Sequence, residues 1–266
     1  MKNGRDATRS ADHPGASVAI CIPVLNEHRH IGQVLAEIAQ ELRHRDHTVC
    51  VVDDGSRDGT IDIVRAWETE HQECMLLQRQ KQRAGCQRGA ASRAGLEWLL
   101  ANTAHDVFVD LDADGAQPPA ELRYGADLVS SGACDVAIAS KYADGSKVLG
   151  RPLARRIGSR LYSGMLRGLM RGGIRDYSNT FRFYNRRAAQ MLLGFAPAYT
   201  TPVYMVEMLA IWISNGLRIV EIPTVYEERA AGHSKVTFSD AWPGFAGAFD
   251  VARRFRRGAY REPHAA

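Results

Sequence analysis

The stretch from Asp106 to Pro119, DVFVDLDADGAQPP, does most to limit how this chain can fold. It opens on a short apolar run, Val107-Phe108-Val109, and passes straight into Asp110, Asp112 and Asp114. The apolar run belongs in an interior, whereas carboxylates need water, hydrogen-bond partners or a cation. The pattern predicts a buried strand whose end delivers acids to one edge of the fold. Asp112 and Asp114 are the expected metal pair. Hard cations such as Mg2+ or Mn2+ take oxygen ligands and share them with substrate phosphates. Acidic triplets also occur as simply solvated loops, so the triplet alone leaves that plainer reading open.

The same event recurs elsewhere. Val18 to Leu25, VAICIPVL, is a continuous apolar run that ends in Asn26-Glu27. Val49 to Val52 ends in Asp53-Asp54-Gly55-Ser56. Such runs read as strands buried on both faces of a parallel sheet. Between them, Ile31, Val34, Leu35, Ile38 and Leu42 recur at helical spacing. A second helix, with Ile61, Ile63, Val64 and Trp67, follows a capping Asp58 or Thr60. Cys74 to Leu77 is a third strand, 88–101 a helix rich in small residues, and Pro118-Pro119 a helix start. Asp135 to Ser140 is a further strand.

This alternation predicts an α/β fold, a mostly parallel sheet flanked by helices with right-handed crossovers. Ligands of such sheets bind beyond the carboxyl ends of the strands. Glu27, Asp53, Asp54, Asp112 and Asp114 should therefore converge. Gathered acids repel a bare phosphate, but a diphosphate bridged by a divalent metal reconciles them with one. Carboxylates there can also accept hydrogen bonds from a base or ribose hydroxyls.

The second half reads differently. Residues 151–172 predict a basic amphipathic helix with Leu153, Ile157, Leu161, Met165 and Leu169 on one stripe and Arg155, Arg156, Arg160 and Arg167 off it. Either the basic face is solvated, or it meets an anionic membrane surface or a lipid phosphate. Asp176 to Tyr184 looks strand-like. A helix spans 204–215 with Glu207 among apolar neighbours, expected at the surface or paired. Leu217 to Tyr226 is a strand interrupted by Pro223, hence an edge. Residues 229–235 form a basic loop able to close over phosphates. The segment 238–257 sets Trp242, Phe245, Phe249 and Phe255 beside four arginines, for a membrane surface or for the body.

Composition removes several function classes. A net charge of +4 on 266 residues argues against a dedicated nucleic-acid binder. Five cysteines without CxxC spacing predict reduced thiols and a cytoplasmic setting, with Cys21, Cys50 and Cys134 as core residues. The nine histidines show no metal-ligand spacing. Residues 1–16 are polar and read as a disordered leader. No run approaches the roughly 20 apolar residues of a membrane span. The expected chain is cytoplasmic, with peripheral attachment to a membrane left open; nothing in it speaks to oligomeric state.

Six motifs in order carry a resemblance: IPVLNE (22–27), VVDDGSRDGT (51–60), DADGAQPP (112–119), DVAIASKY (135–142), DYSNTFRFY (176–184) and EIPTVYEERAAGHSK (221–235). Together they resemble family 2 glycosyltransferases of the GT-A fold, within them the dolichyl- or polyprenyl-phosphate mannosyltransferase group. The resemblance implies one GT-A domain over 17–237, with 238–266 as a C-terminal amphipathic helix and tail. It implies inverting transfer of mannose, glucose or an N-acetylhexosamine from a GDP- or UDP-linked donor to a polyprenyl phosphate, with Mg2+ or Mn2+ as cofactor. Pro23, Leu25, Glu27, Val52 and Asp54 match nucleoside-holding positions. Asp112 and Asp114 match the Asp-x-Asp metal pair, with the Ala113 backbone close to the donor. Lys141 stands where the family usually has Arg. Arg229 and Lys235 match a loop closing on the donor phosphates. Asp176, Ser178 and Arg182 match an acceptor-side stretch, and Ser159 and Arg160 an acceptor-proximal helix.

The chain also departs from the pattern. Leu25 replaces a frequent Tyr. The usual Gly-Leu-Gly loop is rewritten as Arg83-Ala-Gly-Cys-Gln-Arg88-Gly89. Ala116 replaces a polar residue of some relatives, and Asn179-Thr180 replaces a commoner Ser-Gly or Gly-Ser pair. A phosphate acceptor is already an anion and needs no strong base, whereas an alcohol needs one, for which Asp176 is the candidate. The competing reading of Asp176 is a salt bridge to Arg182. Three alternatives remain: a soluble acceptor, a non-catalytic nucleotide-sugar scaffold, and a phosphoacceptor domain suggested by Val51-Val-Asp-Asp-Gly. That last fold is about half this length and leaves the second half unexplained.

Overall fold

The computed structural model describes residues 15–80, 87–228 and 238–262, with side chains described from 243 onward in the last segment. β1 (Val18–Val24), α1 (Ile31–Leu42), β2 (His47–Asp53), α2 (Thr60–Glu70), β3 (Cys74–Gln78), α3 (Arg88–Asn102) and β4 (Val107–Asp110) follow in strict alternation. A 3-10 turn at Pro119–Glu121 leads into α4 (Leu122–Ser130), then β5 (Val136–Ser140), β6 (Lys147–Leu149) and α5 (Leu153–Met170). β7 (Arg182–Asn185), α6 (Arg186–Gly194), α7 (Tyr204–Ser214), β8 (Ile219–Pro223), β9 (Val225–Glu227) and α8 (Phe238–Arg256) complete it.

Seven strands form one sheet in the order β3-β2-β1-β4-β7-β5-β8. Only β7 runs against its neighbours, β4 and β5. β1 is central and fully buried along VAIC, which is why it lacks polar alternation. Side chains alternate between two cores. Ile20, Ile22, Val49 and Val51 pack beneath α1, α2 and α4. Cys21, Cys50, Val52 and Phe108 pack beneath α3, α6 and α7. Gly95 lets α3 approach closely, since a Cβ there would lie 2.4 Å from Cys21 Sγ and 2.8 Å from Val52 Cγ2. Cys21, Cys50 and Cys134 are buried, as the sequence implied.

Several elements differ from expectation. Of the strand-like 176–184 stretch only 182–184 join the sheet, as the start of β7. Ahead of it, Asp176 Oδ1 takes the N–H groups of Ser178 (3.0 Å) and Asn179 (3.1 Å), so those donors leave no ladder to build. Pro223 ends β8 at the sheet edge, and the chain then pairs β9 with β6 in a separate parallel ribbon. The stripe on α5 is not its buried face. Leu153, Ile157 and Leu161 are 70%, 50% and 68% exposed, whereas Ser163, Leu166 and Met170 are buried. A four-residue repeat drifts by about 40° per step on a helix of 3.6 residues per turn. By Met165 and Leu169 the stripe has swung round onto the body. α8 is no appendage: Ala248, Val251 and Ala252 sit in the main core, and Tyr260 beyond it donates to the buried Glu207. The leader expected at 1–16 falls almost wholly outside the described residues.

Candidate active site

The ends of β1 and β2 are laced together. Their parallel register sets Pro23 beside Val52 and Val24 beside Asp53. Asn26 takes a left-handed backbone (φ 54°), which asparagine tolerates better than most residues. Its N–H donates to Ser56 Oγ at 2.9 Å, and its Oδ1 accepts from the Arg57 N–H at 2.8 Å. Asp53 is spent on this turn, accepting from the N–H groups of Gly55 and Ser56. Asp54 is buried and pairs with Arg79 at 2.5 Å. The Glu27 N–H is held by Thr60 Oγ1 at 2.8 Å, with its carboxylate 3.4 Å from His30. Leu25 and Pro23 stay half-buried, facing the strand ends. Pro23, Leu25, Glu27 and Asp54 thus gather at the ends of β1 and β2, while Val52 lies beside Pro23 in the sheet with its side chain in the core beneath α3.

β4 delivers the acids beside those strand ends. The Leu111 N–H bonds the Cys21 carbonyl at 3.1 Å and continues the β1–β4 ladder. Ala113 is buried, and Gly115 turns the chain with φ 69°, so that the Ala116 N–H donates to Asp114 Oδ1 at 2.9 Å. Asp112 is partly exposed. Arg88, the first residue of α3, reaches its Oδ1 through Nε at 2.8 Å and Nη2 at 2.6 Å. The Thr180 hydroxyl donates to the other oxygen, Oδ2. Behind them Asp110 is buried, accepting from Tyr184 at 3.0 Å. Burial pushes its carboxyl up, against the pull of Arg88.

The donor set fits a divalent cation of a particular kind. No group of three His, Cys, Asp or Glu side chains forms a metal cage among the described residues. Two carboxylates on the β4 exit loop suit a hard ion that completes its shell from substrate phosphates. The Asp112 carboxylate is engaged by the Arg88 guanidinium.

A third set of residues lies under α5. Lys141 directly follows β5 and its side chain is 4% exposed, its Nζ 3.0 Å from Asp176 Oδ2. Its backbone N–H donates to the same oxygen, also at 3.0 Å. Asp176 Oδ1 accepts from the Ser178 hydroxyl at 2.9 Å. Ser178 Oγ lies 3.2 Å from Ser159 Oγ, which takes the Tyr142 hydroxyl at 2.7 Å. Burial pushes the Lys141 ammonium down, opposed by Asp176. Burial alone would raise the Asp176 carboxyl, but Lys141 and the hydrogen bonds to it hold it below the usual range. Lys141 and Arg151 both lie 5.3 Å from the centre of the Tyr226 ring, and Arg160 lies 5.8 Å from that of Tyr142.

Asp176 therefore pairs with Lys141, not with Arg182. Both its oxygens are taken, which leaves it poorly placed as a general base. Arg182 is fully buried behind the site, donating to the carbonyls of Asn179 (3.0 Å) and Met205 (2.6 Å). Its guanidinium is pushed down to about 10 by burial. Arg229 and Lys235 lie outside the described residues. Sequence reasoning gave no role to Arg88, Thr180, Tyr142, Arg151 or Tyr226. Arg88 and Thr180 were visible only as departures from a motif.

Comparison with known proteins decides the family. The family model described as glycosyl transferase family 2 matches residues 19–193. The chain belongs to this family. Among its relatives, the polyprenol monophosphomannose synthase of Mycolicibacterium smegmatis is 30% identical over 233 residues, covering 85% of this chain and 83% of that protein. The undecaprenyl-phosphate mannosyltransferase of Micrococcus luteus is 30% identical over 220 residues, covering 83% and 87%. In fold, the chain is similar to the glucosyl-3-phosphoglycerate synthase of Mycobacterium tuberculosis, seen with Mn2+, UDP-glucose and phosphoglyceric acid. The TM-score is 0.64 at 16% identity, over 93% of this chain and 82% of that one. It also matches a mannosyltransferase of Pyrobaculum calidifontis in complex with GDP-Man and Mn2+, with TM-score 0.56 and 18% identity over 97% and 68%. The family 2 chain is thus a glycosyltransferase built on the GT-A fold, with a seven-stranded sheet flanked by helices in one domain.

Proposed function

We propose that this protein moves mannose from a nucleoside diphosphate sugar, GDP-mannose first, onto a polyprenyl phosphate at an anionic membrane surface on the cytoplasmic side. The observation that carries the reading is α5. Its Ser159 joins the hydroxyl network that ends on Asp176 and Lys141. The same helix exposes Leu153, Ile157 and Leu161, with Arg155, Arg156 and Arg160 beside them. One helix thus offers polar groups suited to a phosphate and an apolar, basic face suited to its lipid tail and surroundings. The names of the two relatives at 30% identity point the same way.

The chemistry follows from charge. A phosphate oxygen of the acceptor forms the new bond to the anomeric carbon as the carbon–diphosphate bond breaks, and the diphosphate leaves with the electron pair. The attacking oxygen is already anionic, so no side chain has to remove a proton. The saturated carboxylate of Asp176 agrees with that. Asp176 instead holds Lys141 as a buried cation facing the acceptor side. Pro23, Leu25, Glu27, Val52 and Asp54 hold the nucleoside, and the Ala113 backbone borders the sugar. Ser159, Ser178 and Arg160 receive the acceptor, while Arg182 supports the Asn179 backbone from behind. Arg229 and Lys235 cover the diphosphate, adding positive charge where negative charge develops. A divalent ion, Mg2+ or Mn2+, held by Asp112 and Asp114 would neutralise the diphosphate as leaving group.

The test is transfer of labelled sugar from GDP-mannose or UDP-glucose, with undecaprenyl phosphate in vesicles or a soluble phosphorylated acceptor such as 3-phosphoglycerate. Label from GDP-mannose should enter the organic phase, require the metal and vanish in Asp112→Ala. Label appearing solely in a water-soluble product would overturn the lipid acceptor.

A further inference from the structure

Two departures from the family motif, in parts of the sequence 92 residues apart, meet on one carboxylate. Arg88 and Thr180 both grip Asp112, one oxygen each. A carboxylate in this state is neutralised and hydrogen-bonded, and an arriving divalent ion meets a guanidinium in its place. Arg88 also has somewhere else to go. Asp110 is a second carboxylate whose charge acts on the same guanidinium, and its buried Oδ1 makes no hydrogen bond among the described residues. The Arg88 side chain is 12% exposed and is lined by Ser92 Oγ at 3.4 Å and Met205 Sδ at 3.3 Å, so it is confined close to Asp112.

We propose that Arg88 is a positioning residue that holds Asp112 in the unloaded site and exchanges it for Asp110 when metal and nucleoside diphosphate arrive together. The inference rests on the proposed metal pair Asp112 and Asp114. Its consequence is ordered loading: the bare site binds metal poorly, because the metal must displace a tethered cation. The diphosphate supplies the negative charge that makes the displacement favourable. Asp110 keeps the released guanidinium paired, so no buried charge is stranded.

The experiment is a titration of Mn2+ into the full chain, followed by electron paramagnetic resonance of the free ion, with and without GDP. Wild type should bind Mn2+ at least about tenfold more tightly with GDP than without. Arg88→Gln should bind Mn2+ without GDP about tenfold more tightly than wild type, with a smaller gain on adding GDP. Arg88→Lys, which keeps the charge but not the two-nitrogen grip, should fall between. If Arg88→Gln fails to fold, the wild-type and lysine titrations carry the test. Equal Mn2+ affinity with and without GDP in wild type, or no change in either variant, overturns the exchange. A different failure, no Mn2+ binding to any form even with GDP, would overturn the metal pair itself and the exchange with it.

Discussion

Lys141 Nζ lies 3.0 Å from Asp176 Oδ2, and neither side chain is more than 4% exposed. An isolated charge in such a place is costly, and the two are tolerable only together. Lys141→Ala should therefore cost about 3–5 kcal/mol by stranding Asp176. The paired change Lys141→Met with Asp176→Asn should cost much less than the sum of Lys141→Met alone and Asp176→Asn alone. A double-mutant cycle by urea unfolding decides this. Additive single effects would show that the pair is not a unit.

The same pair sets an acid limit. The Asp176 carboxyl is held below its ordinary value of 3.8 by Lys141 and the hydrogen bonds to it. A depressed carboxylate contributes stability above its unfolded pKa and loses that contribution as pH falls through the folded one. The stability gap between wild type and Asp176→Asn should be full at neutral pH and close progressively below about pH 4. Unfolding curves at pH 7, 5, 4 and 3 measure it. A gap independent of pH would mean that Asp176 matters through its shape alone.

The packing of α3 on β1 and β2 has its own test. Alanine in place of a helical glycine ordinarily stabilises by about 0.5–1 kcal/mol. At Gly95, however, the new methyl would lie 2.4 Å from Cys21 Sγ, and overpacking a tight core costs about 1–3 kcal/mol. The clash should win. Gly95→Ala is expected to lower the melting temperature, and because α3 starts at Arg88 it should also weaken nucleotide binding. A raised melting temperature would show that the helix can slide outward at little cost.

What could be read in advance follows from physics that is local in the chain. Strands buried on both faces have no polar alternation, so β1, β2 and β4 and the acids at their ends were legible. Parallel α/β order then brought Glu27, Asp54 and Asp112 to one edge. Long-range pairing was not legible. The antiparallel β7 inserts between β4 and β5, and this puts Asp176 against Lys141, 35 residues earlier, instead of against Arg182. Arg88 and Thr180 meet on Asp112 from α3 and the loop before β7, a contact without any periodic signature. The five residues of the α5 stripe do not share one face, because a repeat of four looks like a stripe in sequence yet winds around a helix. No helix is long and apolar enough to cross a membrane among the described residues.

That exposed winding stripe gives the last expectation. Leu153, Ile157 and Leu161 touch little of the body, and the aromatic rings of Phe245 and Phe249 on α8 are also partly exposed at 38% and 55%. Phe245 stands edge-on to Tyr162 of α5, 5.1 Å away, so the two helices present these groups together. Replacing Leu153, Ile157 and Leu161 by serine removes apolar surface worth about 1.5–3 kcal/mol per fully buried side chain. Exposed positions in the free protein should lose little stability, within about 0.5 kcal/mol each. The triple variant should keep its melting temperature to within a few degrees, and it should keep its affinity for a nucleotide sugar. Its binding to anionic vesicles should fall about tenfold or more, and transfer to a vesicle-borne acceptor should fall with it. High salt should weaken wild-type binding further, through Arg156 and Arg160. If the triple variant binds vesicles as wild type does, α5 is not the membrane face, and the lipid-facing reading must move to another surface.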